Sequence, residues 1–213
     1  MVFLATLLLG AQGLGGSVNA FGGMQGVYMP SLACPVMGTL NAGQAEVFDY
    51  KGVRYFGCCA GCADKFSADP EKYIRAASLG QSPIGLALYD PVSRMRVKTM
   101  PNLPNVTFHG VLYTFENSED KARFQAQPES FVVAPEKEVL HCPVIGVDTN
   151  EPGSSPSYFD ADGMRIYLCC YGCINPTKFH AAEYTKQAKA SAVKASVHIV
   201  TAADLKKEAE TLR

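Results

Sequence analysis

Hydrophobic and polar positions recur along this chain in a fixed order. Tyr50-Lys51-Gly52-Val53-Arg54-Tyr55-Phe56 sets aromatic and β-branched residues on either side of a Lys-Gly step, predicting a short β-hairpin that turns near Lys51-Gly52. Ala60 to Phe66 reads as a short helix carrying Cys62 in its first turn. Asp69-Pro70-Glu71 predicts a second helix start: Asp caps it, Pro suits the first helical position and Glu lies near the positive end. Ahead of the hairpin, Cys34-Pro35-Val36-Met37-Gly38 reads as a knuckle turn, in which Pro fixes φ and Gly permits a tight reversal.

This order returns twice. Cys142-Pro143-Val144-Ile145-Gly146 repeats the knuckle, and Asp90-Pro91-Val92-Ser93 repeats it with Asp in place of Cys. A glycine follows each: Gly52, Gly110 and Gly163. Six residues beyond these glycines stand Cys58, Glu116 and Cys169, and ten residues beyond stand Cys62, Asp120 and Cys173, with no gap needed. The first two copies also end alike, Phe66-Ser67-Ala68-Asp69-Pro70-Glu71-Lys72-Tyr73 matching Phe124-Gln125-Ala126-Gln127-Pro128-Glu129-Ser130-Phe131. In the third copy Asn175-Pro176-Thr177 intervenes, and Phe179 and Tyr184 are the aromatics that resemble the earlier ones. The predicted class is α+β: three tandem modules at residues 30–78, 86–134 and 138–187, each a knuckle, a β-hairpin and one or two short helices. Modules this small rarely fold on apolar burial alone and usually carry a metal or disulfide staple. The middle copy, without cysteine, is expected to lean on its neighbours or on its aliphatic and aromatic content.

Outside the modules, residues 1–20 form an apolar run followed by small residues, with Val18 and Ala20 fitting a signal-peptidase site. The run has no Lys or Arg and is broken by glycines, so a cleaved export signal is expected ahead of an uncleaved anchor. No second apolar run is long enough to span a bilayer. Export implies a periplasmic or secreted, oxidising location. Residues 188–213 read as a C-terminal helical tail, with Ala203 to Glu210 a solvated helix.

Charge narrows the function classes. The net charge is −1 and the 19 Lys and Arg are spread along the chain, which gives no support for nucleic-acid binding. Trp is absent, so no aromatic stacking platform is in view. The eight cysteines fall into two sets of four, Cys34, Cys58, Cys59 and Cys62, then Cys142, Cys169, Cys170 and Cys173. Two equal sets suggest two copies of one device.

Closely spaced thiolates can grip a metal from one turn while a distant knuckle closes the site. Three sulfurs with an optional fourth suit a soft ion, three-coordinate Cu(I) or four-coordinate Zn(II). Cys62 and Cys173 fall at expected helix starts, where the dipole lowers a thiol's pKa. Two disulfides per module are the alternative, in an exported repeat protein with a structural or interaction role. Adjacent Cys58 and Cys59 make that pairing awkward. A dithiol oxidoreductase would use Cys59 with Cys62 and Cys170 with Cys173, but no βαβ context surrounds them. No other nucleophile–base pair, phosphate loop or carboxylate dyad stands out, so a non-enzymatic protein is expected.

The combination Cys-Pro-Val-x-Gly, aromatic-x-Gly hairpin, Cys-Cys-x-Gly-Cys-x-x-x-Phe and Asp-Pro-Glu-Lys-Tyr resembles the YHS or TRASH domain. That resemblance implies a small heavy-metal-binding module of treble-clef type, associated with metal trafficking, sensing or resistance and notably with copper. It implies Cys34, Cys58 and Cys62 as ligands in the first copy and Cys142, Cys169 and Cys173 in the third. It also implies a metal ion as ligand and a metal-transport or metal-accepting protein as partner. Copper or zinc is the expected ion, with an iron–sulfur centre left open because thiolates alone do not select the metal.

The remaining candidates carry plainer readings. Cys59 and Cys170 are expected to stand outside the coordination shell. Asp90, Glu116 and Asp120, with Asn117 at the fourth position, match the thiols of the other copies. They read either as an oxygen-lined cation site or, as expected here, as exposed acids left after metal was lost. His141 and His180 read as ordinary loop or helix residues, and Met24, Met29 and Met37 as flexible filler.

Overall fold

The computed structural model describes residues 31–40, 45–77, 79–80, 82–98, 102–149 and 152–211. The expected export signal at 1–20, and Met24 and Met29, lie outside them. The fold is α+β. Strands β1 (Glu46–Tyr50) and β2 (Val53–Gly57) form the first hairpin, followed by helices α1 (Cys62–Ala68) and α2 (Pro70–Ala77). Strand β3 (Gly85–Ala87) leads into the second unit, whose hairpin is β4 (Asn105–Phe108) and β5 (Val111–Thr114), with helices α3 (Ser118–Ala126) and α4 (Pro128–Phe131). Strand β6 (Lys137–Val139) leads into the third, which holds β7 (His141–Cys142), β8 (Val147–Asp148), the hairpin β9 (Ser157–Ala161) and β10 (Met164–Leu168), and helices α5 (Ile174–Phe179) and α6 (Ala181–Ala188). Strands β11 (Val193–Lys194) and β12 (His198–Ile199) and helix α7 (Ala202–Thr211) close the chain.

The three hairpins turn on the same chemistry. Lys51-Gly52, His109-Gly110 and Asp162-Gly163 all have positive φ at both positions, the type I′ geometry that matches strand twist. Each hairpin then hands the chain to a helix pair. In the first unit Asp69 accepts a hydrogen bond from Lys72 N at 3.2 Å, with Pro70 opening α2, as expected. Helix α1 begins at Cys62, two residues later than expected, because Gly61 takes a left-handed φ of 84° immediately before it. Glu46 on β1 accepts from Gly61 N and Ala63 N at 2.9 and 2.7 Å, satisfying donors that a helix start leaves open.

Aromatic rings fill the first two units. Phe66 is fully buried, with ring centroids 4.9 Å from Phe48 and 4.8 Å from Tyr55. Phe124 plays the same part against Tyr113 at 5.0 Å and Phe115 at 5.2 Å. The third core is mainly aliphatic, with Val139, Met164, Ile166 and Leu168 beside the single buried ring of Phe159. Here the sequence comparison needs correcting: buried Thr177 occupies the place of Phe66, four residues past the last cysteine, whereas Phe179 is 81% exposed. Tyr184 does pack against this core.

Sheet topology ties the units together. One sheet runs β12-β1-β2-β3-β5-β4, so the first two hairpins share it, with β3 antiparallel to β2 and parallel to β5. A second sheet runs β11-β6-β10-β9, with β6 parallel to β10, and β7 and β8 form a separate pair. The chain end is not a solvated tail. Strand β11 pairs with β6 and strand β12 with β1, so residues 193–199 join one sheet to the other. On α7, Glu208 is 5% exposed. It accepts from Arg54 at 2.6 and 3.0 Å and from Arg96 at 3.2 Å, while Asp49 holds Arg54 through two further bonds of 2.8 Å. Burial pushes the Glu208 carboxyl up, but the two guanidinium groups outweigh it and hold the pKa below the usual carboxylate range. Removing one partner of such a buried pair strands the other, so the clasp is sensitive to single substitutions.

Candidate metal centres

Each knuckle is closed in the same way. Backbone bridges join Ala33 to Leu40, Tyr89 to Arg96, and His141 to Asp148. Inside them Gly38 N, Arg94 N and Gly146 N each donate at 2.8 Å to the carbonyl of Cys34, Asp90 and Cys142 respectively. The donating residue has a left-handed φ in all three: 69° at Gly38, 63° at Arg94 and 78° at Gly146.

The knuckle side chain is the hub of each cluster. The backbone groups of Val36, Met37 and Cys58 pull the Cys34 pKa down, and those of Val144, Ile145 and Cys169 pull down that of Cys142. Such backbone groups favour the thiolate, the ligating form. Cys34, Cys58 and Cys62 bring their sulfurs within 4.8 Å of one another, as do Cys142, Cys169 and Cys173. Cys34 and Cys62 lie 3.8 Å apart, Cys142 and Cys173 3.6 Å, and Cys169 and Cys173 3.7 Å. Tetrahedral zinc with Zn–S bonds of about 2.3 Å needs sulfurs about 3.8 Å apart, so the donors are spaced for a metal. All eight cysteines are free thiols.

Cys59 and Cys170 stand beside these trios. Cys59 Sγ is 3.3 Å from Cys62 and 4.0 Å from Cys58, and Cys170 Sγ is 3.2 Å from Cys173. Cys59 is exposed and Cys170 half-buried.

The two trios differ in electrostatics. Burial raises Cys34 despite its backbone donors, whereas in Cys142 burial is outweighed by the donors from Cys169, Val144 and Ile145, and the pKa falls. Cys58 is lowered, first by the Thr39 hydroxyl, and Cys169 is pushed up to about 11 by burial and by Cys142. Position 147, which corresponds to Thr39, is Val. Both cysteines do stand at helix starts, Cys62 as the first residue of α1 and Cys173 as the cap of α5, but the expected lowering is overturned because burial raises both.

Sequence reasoning missed three contributors to the first trio: Thr39, Glu46 and Gly57. A Cβ on Gly57 would lie 2.8 Å from Cys62 Cβ, so only glycine lets β2 pass the helix start. Glu46 and Gly57 face each other across the hairpin, a register legible only once the strands pair.

The middle unit assembles its acids as the others assemble thiols. Asp90, Glu116 and Asp120 bring carboxylate oxygens within 4.8 Å of one another. The expectation of exposed replacements fails at the hub, since Asp90 is 0% exposed. Its Oδ1 accepts from Val92 N at 2.8 Å and Ser93 N at 3.3 Å, and its Oδ2 from Glu116 N at 3.0 Å. These are the three donor positions that serve Cys34 and Cys142. Glu116 is exposed, while Asp120 belongs to the cap of α3, where Asn117 accepts from Asp120 N at 2.8 Å. Burial raises the Asp90 pKa against those three backbone donors. Through these bonds the carboxylate joins the knuckle to the end of the hairpin.

Of the other candidates, His141 pairs with Asp148 at 2.9 Å, His180 rings against Tyr184, and Met37 is exposed. None belongs to a thiol trio.

A YHS domain family model matches residues 37–77, spanning Cys58, Cys62 and the two helices of the first unit. No curated protein and no solved structure gave a match to the chain. The family match and the sulfur clusters together support a metal-binding role. Among the described residues, no helix is long and apolar enough to cross a membrane.

Proposed function

We propose that this is a non-enzymatic carrier of soft metal ions, built from three YHS-like modules of which the first and third bind metal. The observation that carries the reading is the recurrence of one geometry: three sulfurs within 4.8 Å of one another, one of them on a buried knuckle cysteine. Cys34, Cys58 and Cys62 hold one ion, and Cys142, Cys169 and Cys173 the other. The ion is Cu(I) or zinc, both of which favour thiolate donors. Binding supplies the staple that small modules lack and releases protons as thiols become thiolates. Cys59, exposed beside its trio, is placed to pass the ion to a metal-accepting protein in trafficking, sensing or resistance. The apolar run at residues 1–20 supports export, where a reduced, metal-loaded site must be filled before oxidation.

Elemental analysis of reduced protein tests this. Wild type should carry close to two Cu(I) or Zn(II) per chain, and Cys58→Ser and Cys169→Ser should each carry close to one. Near-zero metal in the wild type, with all thiols paired as disulfides in the exported form, refutes it and favours the disulfide-stabilised repeat.

A further inference from the structure

Between the three units lies a cavity of about 210 Å³ that no metal site uses. Its walls come from all three: Tyr50, Lys51 and Tyr55 from the first, Tyr113 from the second, Tyr158 and Arg165 from the third. Most of the remaining lining is aliphatic or aromatic.

The polar groups on this wall divide into two kinds. The charged ones are satisfied. Lys51 pairs with Glu71 at 2.8 Å. Arg165 pairs with Asp160 at 2.9 and 3.0 Å and donates to the carbonyls of Lys51 and Val133, both at 3.1 Å. Tyr50 donates to Glu71, and Tyr89 to backbone carbonyls of Pro152 and Ser155. The hydroxyls of Tyr55, Tyr113 and Tyr158 are different. Their side chains are 2%, 7% and 5% exposed, yet among the described residues none has a protein hydrogen-bond partner. Nor is any of the three oxygens sealed off, since the buried atoms of that kind are Thr149 Oγ1 and Ser155 Oγ alone among the described residues. All three side chains line the cavity.

Buried hydroxyls are normally hydrogen-bonded, and three left facing one apolar chamber mark a place where a ligand supplies the acceptor. The paired charges leave the wall electrically balanced, which disfavours an ion. We propose that this inter-module cavity binds a small, flat, neutral molecule with a carbonyl acceptor, held by hydrogen bonds from Tyr55, Tyr113 and Tyr158 and by the surrounding aromatic walls. The ligand touches all three units, so its binding also fastens them together.

Acetophenone and ethylbenzene provide the test, since they share a ring and differ in the acceptor. Calorimetric titration and ligand-detected NMR on the full chain should show acetophenone binding and ethylbenzene at least about tenfold weaker. Tyr55→Phe, Tyr113→Phe and Tyr158→Phe should each weaken acetophenone about three- to tenfold and leave ethylbenzene unchanged. Thermal melts of these variants should match or exceed wild type, because each loses an unpartnered hydroxyl and keeps its ring. Equal affinity for the two compounds, acetophenone binding that survives the triple Phe variant, or no binding of either overturns the proposal.

Discussion

The first and second units share one order of knuckle, hairpin and helix pair, with opposite chemistry at its centre. Around Cys34 three backbone groups act on a sulfur that belongs to a thiol trio; around Asp90 the corresponding three donate to a carboxylate. A carboxylate has two oxygens and can hold the knuckle and the hairpin end at once. A single sulfur gathers the same donors but leaves the hairpin and helix cysteines to be joined by something else. The comparison teaches that a buried carboxylate at the hub can tie knuckle to hairpin end by backbone hydrogen bonds in a unit that has no thiols. Aromatic packing makes this tolerable, since Phe124 anchors the second unit as Phe66 anchors the first.

The largest test of that contrast is to reverse it. Asp90→Cys combined with Glu116→Cys and Asp120→Cys should create a third thiolate trio, raising bound metal from about two to about three per chain. Structural thiolate–zinc sites are worth about 10 kcal/mol or more, which is ample to reorganise one knuckle. Metal content that stays at the wild-type value in a folded triple variant would show that hub position alone does not make a site.

Next comes Asp90→Ala, which strands three backbone donors in a buried knuckle. A loss of about 3 kcal/mol is expected at roughly 1 kcal/mol or more for each donor, read by chemical denaturation. A loss under half of this would mean the second unit is held by its rings and neighbours instead.

Acid should separate the units by sign. The folded pKa of Asp90 is raised above the unfolded value near about 3.9, so protonation favours the folded state, and its contribution is lost as pH rises through the folded value. Metal thiolates behave oppositely, because protons compete with the ion. Hydrogen exchange on metal-loaded protein should therefore show the first and third knuckles loosening with metal release while the second remains protected. The clasp on α7 gives an internal control: Glu208 has a lowered folded pKa, so its stabilisation is present above the usual carboxylate value and is lost as pH falls through the folded one. Glu208→Gln should flatten that acid-side loss.

The smallest effect is expected at Arg94, where the second knuckle keeps a left-handed φ of 63° without the glycine of the other two. Arg94→Gly should stabilise by roughly 0.5–1 kcal/mol through relief of that backbone strain, offset in part by unfolded-state entropy. A shift of melting temperature downward would place a stabilising role in the arginine side chain.

Much of this was legible in particular residues. The gap-free register from Gly52, Gly110 and Gly163 leads to the positions that the structure gathers, because identical type I′ turns deliver the chain to identical places. Less legible was whatever depends on pairing between distant segments. Thr177 stands where the first two units place a core aromatic, and Glu208 is buried because Arg54 and Arg96 meet it across more than a hundred residues of chain.

By itself the sequence determined the α+β class, the three type I′ hairpin turns, the two cysteine trios and the carboxylates that echo them, since local turn chemistry and spacing carry that information. Only the tertiary structure decided that Asp90 is a buried hub, that helix-start cysteines are governed by burial, that the chain end joins two sheets, and that three tyrosines surround a cavity. The reason is physical: turns and caps act within a few residues, while desolvation, ion pairing and cavity shape arise where segments far apart in the chain are brought together.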